Sequence, residues 1–465
     1  MKILHTSDWH VGKVLKGRDR YEEHAAALAS ITAIARAEDV DLVLIAGDLF
    51  ETAAPTAKAQ GLVMRTLLAL REDGRQVVAI AGNHDNASLL DEVYRPVLGE
   101  VGLHLLGLPK RPEYGGTVAL RTRGGEQVNV AALPFLSRRY AIRAAEALLH
   151  EFADLALDYS RQMTQLVALL TEPFSPDAVN IVMAHATLLG GRRGGGERDV
   201  QTGLDYEVPA SIFPATAHYA ALGHLHRSQE IPGPCPMFYS GSPLAIDFGE
   251  EKNESSALIV TLRPDARADA RQIPVTGGRP LRTLRGTLDQ VIADGEQAGD
   301  AYLRVILAEP GRAGLADLVR EKLPNTLEVL LDEAHRPRPG TRDGDRPSRV
   351  GRSPVELFGD YLAERKIDDP RLGAMFSRLL DEVTGAAAEP GAGEPGAGEL
   401  AAGEAGAGEA GAGEAGAGEA GAGEPGAGEL AAGEADAGGP AAARRPGSGG
   451  CRTAGSAAAT AGRDT

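Results

Sequence analysis

The sequence predicts an α/β protein with a small α/β cap, a C-terminal helical pair and a disordered tail. Three observations carry this reading. Short apolar runs alternate with amphipathic segments from residue 1 to residue 272, the pattern of strands and helices in a layered sheet protein. Several of those runs stop where a polar motif begins, and in open α/β sheets ligands gather beyond the carboxyl ends of the strands. From about Thr384 onward the composition collapses to Gly, Ala, Glu and Pro, which cannot bury enough surface to offset its chain entropy.

Taken in order, Lys2–Thr6, Leu42–Ala46, Val77–Ala81, Val128–Ala132, Ile181–Ala184 and Tyr219–Leu222 read as strands. Asp19–Glu38 and Ala57–Glu72 read as helices between them, with apolar residues at helical spacing. Pro- and Gly-rich turns then lead through two further strands, Met237–Tyr239 and Ala257–Leu262. Residues 276–335 repeat the alternation on a smaller scale: strand Leu281–Gly286, helix Leu288–Ala293, strand Ala301–Leu307, helix Leu315–Leu323, strand Thr326–Leu331. Residues 336–352 are rich in Arg, Pro and Gly and read as a flexible tether. Over 353–383, Ser353-Pro354-Val355-Glu356 is a capping box with proline at the first helical position, and Asp369-Pro370 opens a second helix the same way. The pair reads either as a hairpin docked on its own domain or as a partner-binding element beyond the tether. In the tail, 384–465, glutamate recurs every fifth residue from Glu389 to Glu434. Five residues turn a helix about 140° past a full turn, so the glutamates share no face, and glycine disfavours a helix in any case.

The formal net charge of −17 argues at first against a polyanion partner, since such binding rests on a basic footprint. The tail holds twelve acidic residues against four arginines, leaving −9 for residues 1–383, and bound divalent cations would offset part of that. Cys235 and Cys451 are the only cysteines, so no disulfide framework is expected and a reducing cytoplasm is the natural setting. The chain opens on a strand that runs straight into the first motif, leaving no room for a signal peptide. No apolar run approaches membrane-spanning length. A cytoplasmic protein is expected.

Five motifs carry the chemistry: Asp8-Trp9-His10, Gly47-Asp48, Gly82-Asn83-His84-Asp85, Ala184-His185 and Gly223-His224-Leu225-His226. Singly each is weak, because Asp and His also cap helices and bond to turns. Five of them in order after strands point to a metal site. Carboxylate and amide oxygens mixed with imidazole nitrogens suit a first-row divalent ion. Two such ions about 3.5–4 Å apart need a bridging carboxylate, and Asp48 is the candidate. Paired cations would neutralise a phosphate and lower the pKa of the attacking water. His84 then faces the substrate as proton donor to the leaving oxygen, with Asp85 expected to hold its imidazole by a hydrogen bond.

Together the five motifs resemble the calcineurin-like metallophosphoesterase superfamily, which implies a four-layer α/β/β/α sandwich. Ser7-Asp8-Trp9-His10-Val11-Gly12-Lys13, Gly223-His224-Leu225-His226-Arg227, Tyr239-Ser240-Gly241-Ser242-Pro243-Leu244 and Asp247-Phe248-Gly249-Glu250 are similar to the nuclease subunits of SbcCD-type exonucleases. That resemblance implies Asp8, His10, Asp48 and His226 on one metal and Asp48, Asn83, His185 and His224 on the other, with His84 as proton donor. It further implies Mn2+, a homodimer, and an SbcC-like ATPase partner with coiled coils attached near residues 353–383. The activity implied is ATP-dependent 3′→5′ exonuclease action on double-stranded DNA and endonuclease action at hairpins or blocked ends, in DNA repair and recombination. The alternative is a small-molecule phosphatase or cyclic-nucleotide phosphodiesterase on the same metal core.

There are departures and loose ends. The second motif ends in Glu51, where many superfamily members carry Asp. The insert Gly190–Arg198 bears Arg192 and Arg193 beside a glycine run and is either a phosphate-touching loop or a plain surface loop. His5, His24, His104, His150, His218 and His335 lack companions at ligand spacing and are expected to be structural or exposed. Trp9 is expected to pack beneath the first motif.

Overall fold

The computed structural model describes residues 1–137, 140–141, 144, 148, 159–197, 206–336, 354–365, 367 and 369–384. The tether and the tail therefore lie outside the described residues, apart from Arg336 and Thr384, as do Arg198 and His150. The chain divides into two units, Met1–Asp345 and Arg346–Thr465.

Two six-stranded sheets form the body of the first unit. One runs in the order Ala266–Pro274, Ser256–Arg263, Lys2–Thr6, Leu42–Ile45, Gln76–Ile80, Leu103–Leu106. The last four of these are parallel, and the two late strands add on antiparallel. The other runs Gln229–Ile231, Met237–Tyr239, Tyr219–Gly223, Val179–His185, Gln127–Leu133, Thr117–Arg121. Alternation along the strands explains how the sheets stack. Ile3, Leu42, Leu44, Val78 and Ile80 meet Val130, Ile181, Met183 and Ala221 between the sheets, while Leu4, Val43, Ile45, Val77 and Ala79 point outward onto helices. Strands buried on both faces must be apolar throughout, which is why the central runs are legible in the sequence.

Helices cover the outer faces and complete the four layers. Tyr21–Ala37 and Ala57–Arg71 bury Ala27, Leu28, Ile31, Leu62, Val63, Leu67 and Leu70 against the first sheet. Thr56 caps the second of them by accepting the Ala59 amide. Tyr159–Thr171 covers the second sheet through Met163, Leu166, Val167 and Leu170. Each large side chain among these contributes about 1.5–3 kcal/mol by leaving water. The first helix begins at Tyr21, not Asp19, because Arg18–Asp19 pairs with Val14–Leu15 in a small hairpin.

Among the elements that escape the sequence reading are Leu103–Leu106, Thr117–Arg121, Tyr159–Thr171, Gln229–Ile231 and Ala266–Pro274. The last is an exposed edge strand, ARADARQIP, whose charges guard the edge and hide its strand character. It carries the sandwich to Pro274, two residues beyond the expected limit.

His5 is buried where the two sheets face each other. Its Nε2 donates to the Leu222 carbonyl at 3.1 Å and its Nδ1 accepts from the Tyr219 hydroxyl at 2.9 Å. Burial pushes its pKa down to about 3, against a weaker upward pull from the Leu222 bond. Below pH 6.5 the unfolded chain takes up a proton that the native His5 refuses until about pH 3, so stability falls as pH drops through that window. The expected loss reaches on the order of 5 kcal/mol by pH 3. Urea unfolding from pH 7 to 4 checks it: His5→Gln should flatten the acid limb relative to the parent.

Leu281–Gly286, Tyr302–Leu307 and Thr326–Leu331 form a parallel three-stranded sheet crossed by helices Leu288–Glu296 and Leu315–Lys322. A capping box of Thr287 and Gln290 starts the first helix. This module has its own core around Val291, Leu303, Val305 and Val319. It meets the sandwich through Leu281, Tyr302, Leu15 and Phe248, where Arg279 and Arg20 lie 4.5 and 5.6 Å from the Tyr302 ring centre.

In the second unit, Pro354–Glu364 and Pro370–Thr384 form a helical pair. Phe358 and Phe376 stack with ring centres 4.2 Å apart, while Val355, Tyr361, Ile367, Met375 and Leu379 are exposed. Among the described residues, no helix is long and apolar enough to cross a membrane.

Candidate metal centre

The site grows from parallel strands. Lys2–Thr6 and Leu42–Ile45 lie side by side, so the loops leaving their carboxyl ends also run together. Asp8 N donates to the Gly47 carbonyl and His10 N to that of Asp48, both at 3.0 Å. Asp8, His10 and Asp48 sit at φ of 53°, 47° and 53°, and His224 at 102°. Such backbone costs a non-glycine residue about 1–3 kcal/mol and persists where surroundings over-determine it. Here the motifs brace one another: an Asp8 carboxylate oxygen accepts the His224 amide at 3.1 Å, and Asp48 Oδ1 accepts the His84 amide at 2.8 Å. The glycines let the loops close in. A Cβ at Gly82 would strike the Asp48 carboxylate, and one at Gly47 the His185 ring.

All seven residues expected to ligate, with His84, come together. Asp8, His10 and His226 offer ligand atoms within 4.8 Å of one another, as do His10, Asp48 and His84, and Asp48, His185 and His224. Asp48 Oδ2 lies 3.5 Å from Nε2 of both His10 and His185. Asn83 Oδ1 lies 2.9 Å from His185 Nε2 and from His224 Nδ1.

Outer partners fix which nitrogen each ring presents. His10 Nδ1 bonds to Glu51 Oε2 at 3.1 Å, His226 Nδ1 to Glu250 Oε1 at 2.7 Å, and His185 Nδ1 to the Ala46 carbonyl at 2.8 Å. These nitrogens must donate, so each neutral ring turns a lone pair inward. His10 Nε2 and His226 Nε2 then face each other at 3.1 Å, and His185 Nε2 faces a carbonyl-type oxygen. Lone pairs so placed repel unless a proton or a cation lies among them, and imidazole, carboxylate and amide donors fit a first-row divalent ion.

The electrostatics agree. Burial works against protonating His185 and His226, but Asp48 and Asp8 carry His185 up to about 9, and Glu250, Asp8 and Glu197 carry His226 up to about 10. Burial, assisted by the charge of His226, pushes His10 down to about 3. Burial raises Asp8 to about 6 against the pull of His226 and His185. Protons and a metal ion thus compete for the same inward nitrogens and carboxylates, and metal binding would release protons.

One expected contact is corrected. Asp85 does not anchor the His84 ring: its Oδ1 accepts the Phe50 amide at 2.9 Å and its Oδ2 the Leu49 and Gly82 amides at 3.1 and 2.9 Å. His84 Nδ1 instead donates to the Glu51 carbonyl at 2.8 Å. A carboxylate one residue along the chain points into the turn, where the amides are. Burial and the nearby Asp48 raise Asp85 to about 7.

Three positioning residues escape the sequence reading. Glu51 serves His10 with its carboxylate, His84 with its carbonyl and Lys13 with Oε1 at 2.9 Å. Glu250 lies 24 residues beyond its partner His226. Glu197, in the glycine insert, accepts the His226 amide at 2.9 Å and the Gly194 and Gly195 amides. The one signal that could find any of them is the resemblance around Phe248-Gly249-Glu250. The insert therefore packs on the site through Glu197, while Arg192 and Arg193 lie toward the surface. Trp9 is fully buried, its indole N–H on Thr6. His5, His24, His104, His218 and His335 fall outside the metal-type clusters of the described residues.

Comparison with known proteins places this geometry in a family. A profile described as calcineurin-like phosphoesterase matches residues 1–228, and one described as type 5 capsule protein repressor C-terminal domain matches residues 278–366. The SbcD subunit of the nuclease SbcCD from Bacillus subtilis is 38% identical over 285 residues, 60% of this chain and 71% of that protein. Its Rhodobacter capsulatus namesake is 36% identical over 339 residues, 70% and 78% of the two chains. The Escherichia coli K12 namesake is 30% identical over 313 residues, 64% and 74%. Matched at these identities across more than two thirds of each relative, and folded as a phosphoesterase sandwich around a His/Asp cluster, the chain belongs to the SbcD family of calcineurin-like phosphoesterases.

Proposed function

We propose that the chain is a metal-dependent DNA nuclease subunit that hydrolyses phosphodiesters with two divalent ions, Mn2+ foremost. The observation that carries this is the convergence of seven ligand side chains whose ring nitrogens are oriented by outer partners. Asp8, His10, Asp48 and His226 would hold one ion and Asp48, Asn83, His185 and His224 the other. When bound, the ions supply charge neutralisation of the phosphate and activation of the attacking water. Asp48, whose Oδ2 lies 3.5 Å from Nε2 of both His10 and His185, would serve both ions. His84, with Nδ1 committed to Glu51, offers Nε2 to the leaving oxygen. Asp85 shapes the loop that carries His84 by accepting the Leu49, Phe50 and Gly82 amides.

In this reading residues 1–272 are the nuclease domain, 276–335 the cap and 353–383 the partner-binding pair, in a cytoplasmic, nucleoid-associated protein. The exposed apolar side chains of the helical pair suit an SbcC-like coiled-coil ATPase, which would make 3′→5′ exonuclease and hairpin endonuclease action ATP-dependent. A homodimer is supported by a second apolar surface. Tyr94 bonds to Gln60 and Arg71 to the Val101 carbonyl; Leu68 is exposed on the helix that carries Gln60 and Arg71, and Val93, Val97 and Val101 are exposed on the segment that these bonds tie to it. Val97→Glu is expected to shift the chain to monomer in sedimentation velocity without lowering its melting temperature; an unchanged dimer would remove that surface from the interface.

The test of function is an end-labelled duplex incubated with Mn2+ and the chain, with and without its ATPase partner and ATP, beside Asp48→Ala. Shortening from 3′ ends that needs Asp48 and rises with partner and ATP supports the reading. Intact duplex with continued turnover of small phosphoesters would overturn it in favour of a phosphatase.

A further inference from the structure

The lysine that closes the first motif stands outside the ligand set yet within one carboxylate of it. Lys13 Nζ donates to Glu51 Oε1 at 2.9 Å, while the other oxygen of that carboxylate lies 3.1 Å from His10 Nδ1 and 3.7 Å from His84 Nδ1. The main chain of both partners is fixed. Lys13 N donates to the His10 carbonyl at 3.0 Å and Glu51 N to the Val11 carbonyl at 3.2 Å, so the ammonium is carried by the turn that carries a ligand. Its stem is freer: the Lys13 side chain is 25% exposed, and Glu51 takes one of the three N–H donors of the ammonium.

Charge makes that position informative. Residues 1–383 carry a net −9, and the pocket itself holds the carboxylates of Asp8 and Asp48, so a polyanion approaching it needs cations at the rim. Lys13 leads into a tight hairpin, Val14–Leu15 against Arg18–Asp19. Lys16 and Gly17 close it at φ of 48° and 85°, a two-residue turn that matches the twist of paired strands. Lys16 is paired with Glu328 of the cap at 2.9 Å, and Arg18 lies 5.9 Å from the Tyr302 ring centre. Of these three cations, Lys13 is the one that shares a carboxylate with the proton donor. An ammonium on a flexible stem suits a phosphate, which it binds as a point charge with rotatable donors.

We propose that Lys13 grips the phosphate next to the scissile one, on the side of the leaving oxygen, and that Glu51 holds its ammonium in place until a strand arrives. This rests on the nuclease reading above and deepens it: the contact lets the site tell a nucleic acid strand from a lone phosphoester. A strand that puts its leaving oxygen at His84 Nε2 continues past the ring toward Lys13, whereas a small phosphoester has no second phosphate to offer there.

The test compares two substrates of the Mn2+-loaded full chain with its ATPase partner and ATP: a labelled duplex, which has flanking phosphates, and bis-p-nitrophenyl phosphate, which has none. Lys13→Met, which keeps the stem and drops the charge, should lower kcat/KM for the duplex about 10–100-fold more than for the small diester, the weight of one charged hydrogen bond, and chiefly through KM. The slope of log kcat/KM for the duplex against log salt should become shallower by about one unit, as for one lost phosphate contact. Lys13→Arg, which keeps the charge, should restore both. Melting temperature in chelator separates misfolding from a lost contact, and Lys13→Gln should give the same readings where the methionine variant melts early. Equal losses on the two substrates would overturn the inference and make Lys13 a brace for Glu51. A salt slope and duplex KM that stay at parental values in Lys13→Met would overturn it as well. A parent that turns over the small diester yet leaves the duplex intact would defeat the nuclease reading itself.

Discussion

Replacing His84 with glutamine is expected to slow phosphodiester cleavage by about 10²–10⁴-fold, the usual contribution of a positioned proton donor, while Mn2+ stoichiometry and duplex affinity stay at parental values. The physical reason is the leaving group. A sugar alkoxide is a poor leaving group unless protonated as its bond to phosphorus breaks. His84 has Nδ1 donating to the Glu51 carbonyl, so the proton must come from Nε2. With one ring proton already committed, delivery from Nε2 requires the imidazolium. Glu51 favours that charge, its Oε2 lying 3.7 Å from Nδ1. The measurement is single-turnover cleavage of a labelled duplex alongside Mn2+ binding by calorimetry. His84 also lies within ligand distance of His10 and Asp48, so the rival outcome is specific: loss of one bound ion with cleavage would make His84 a ligand, not a donor.

Replacing Arg20 with alanine is expected to destabilise the first unit by about 3–5 kcal/mol, because it strands a buried carboxylate. Arg20 is 1% exposed and lies on Glu23 through two bonds, Nε to Oε1 at 3.0 Å and Nη2 to Oε2 at 2.6 Å. Its Nη1 reaches the Ala245 carbonyl, in the turn whose Ser242 hydroxyl holds the Asp8 carbonyl at 2.9 Å. Glu23 in turn accepts the Arg279 amide at 2.7 Å, at the start of the cap. The guanidinium thus joins the first helix, the loop behind Asp8 and the cap. Glu23 is held below the usual carboxylate range: burial pushes it up, and Arg20 and the Arg279 amide more than offset that. Urea denaturation at pH 7 reads the loss. The control is Arg20→Met with Glu23→Gln, which removes both charges and should recover part of the stability. A double variant no better than Arg20→Ala would place the effect in lost packing.

How far the site can be read from the sequence depends on where each residue stands. Asp8, Asp48, Asn83 and His185 follow apolar runs directly, and a ligand at a strand's carboxyl end is visible because the strand is. His10, His224 and His226 are legible as a triplet and a doublet on the same ground. Glu51, Glu197 and Glu250 are not, since a carboxylate that supports a ring from across the pocket leaves no local spacing behind. Asp85 shows the opposite error: adjacency to His84 suggests a bond, but the turn directs its carboxylate onto the Leu49, Phe50 and Gly82 amides.

The sequence by itself determined the alternation of strands and helices, the βαβαβ pattern of the cap, the two helices near the C-terminus and the residues that could ligate a metal. Those follow from local rules: apolar period, turn chemistry and donor type act over a few neighbouring residues. Only the tertiary structure decided which nitrogen each imidazole presents, which carboxylates stand behind the ligands and how Arg20 ties the cap to the loop of Asp8. These depend on contacts between residues far apart in the chain, such as His10 with His226 and Arg20 with Ala245, and no spacing along the chain encodes a distance across a closed sandwich.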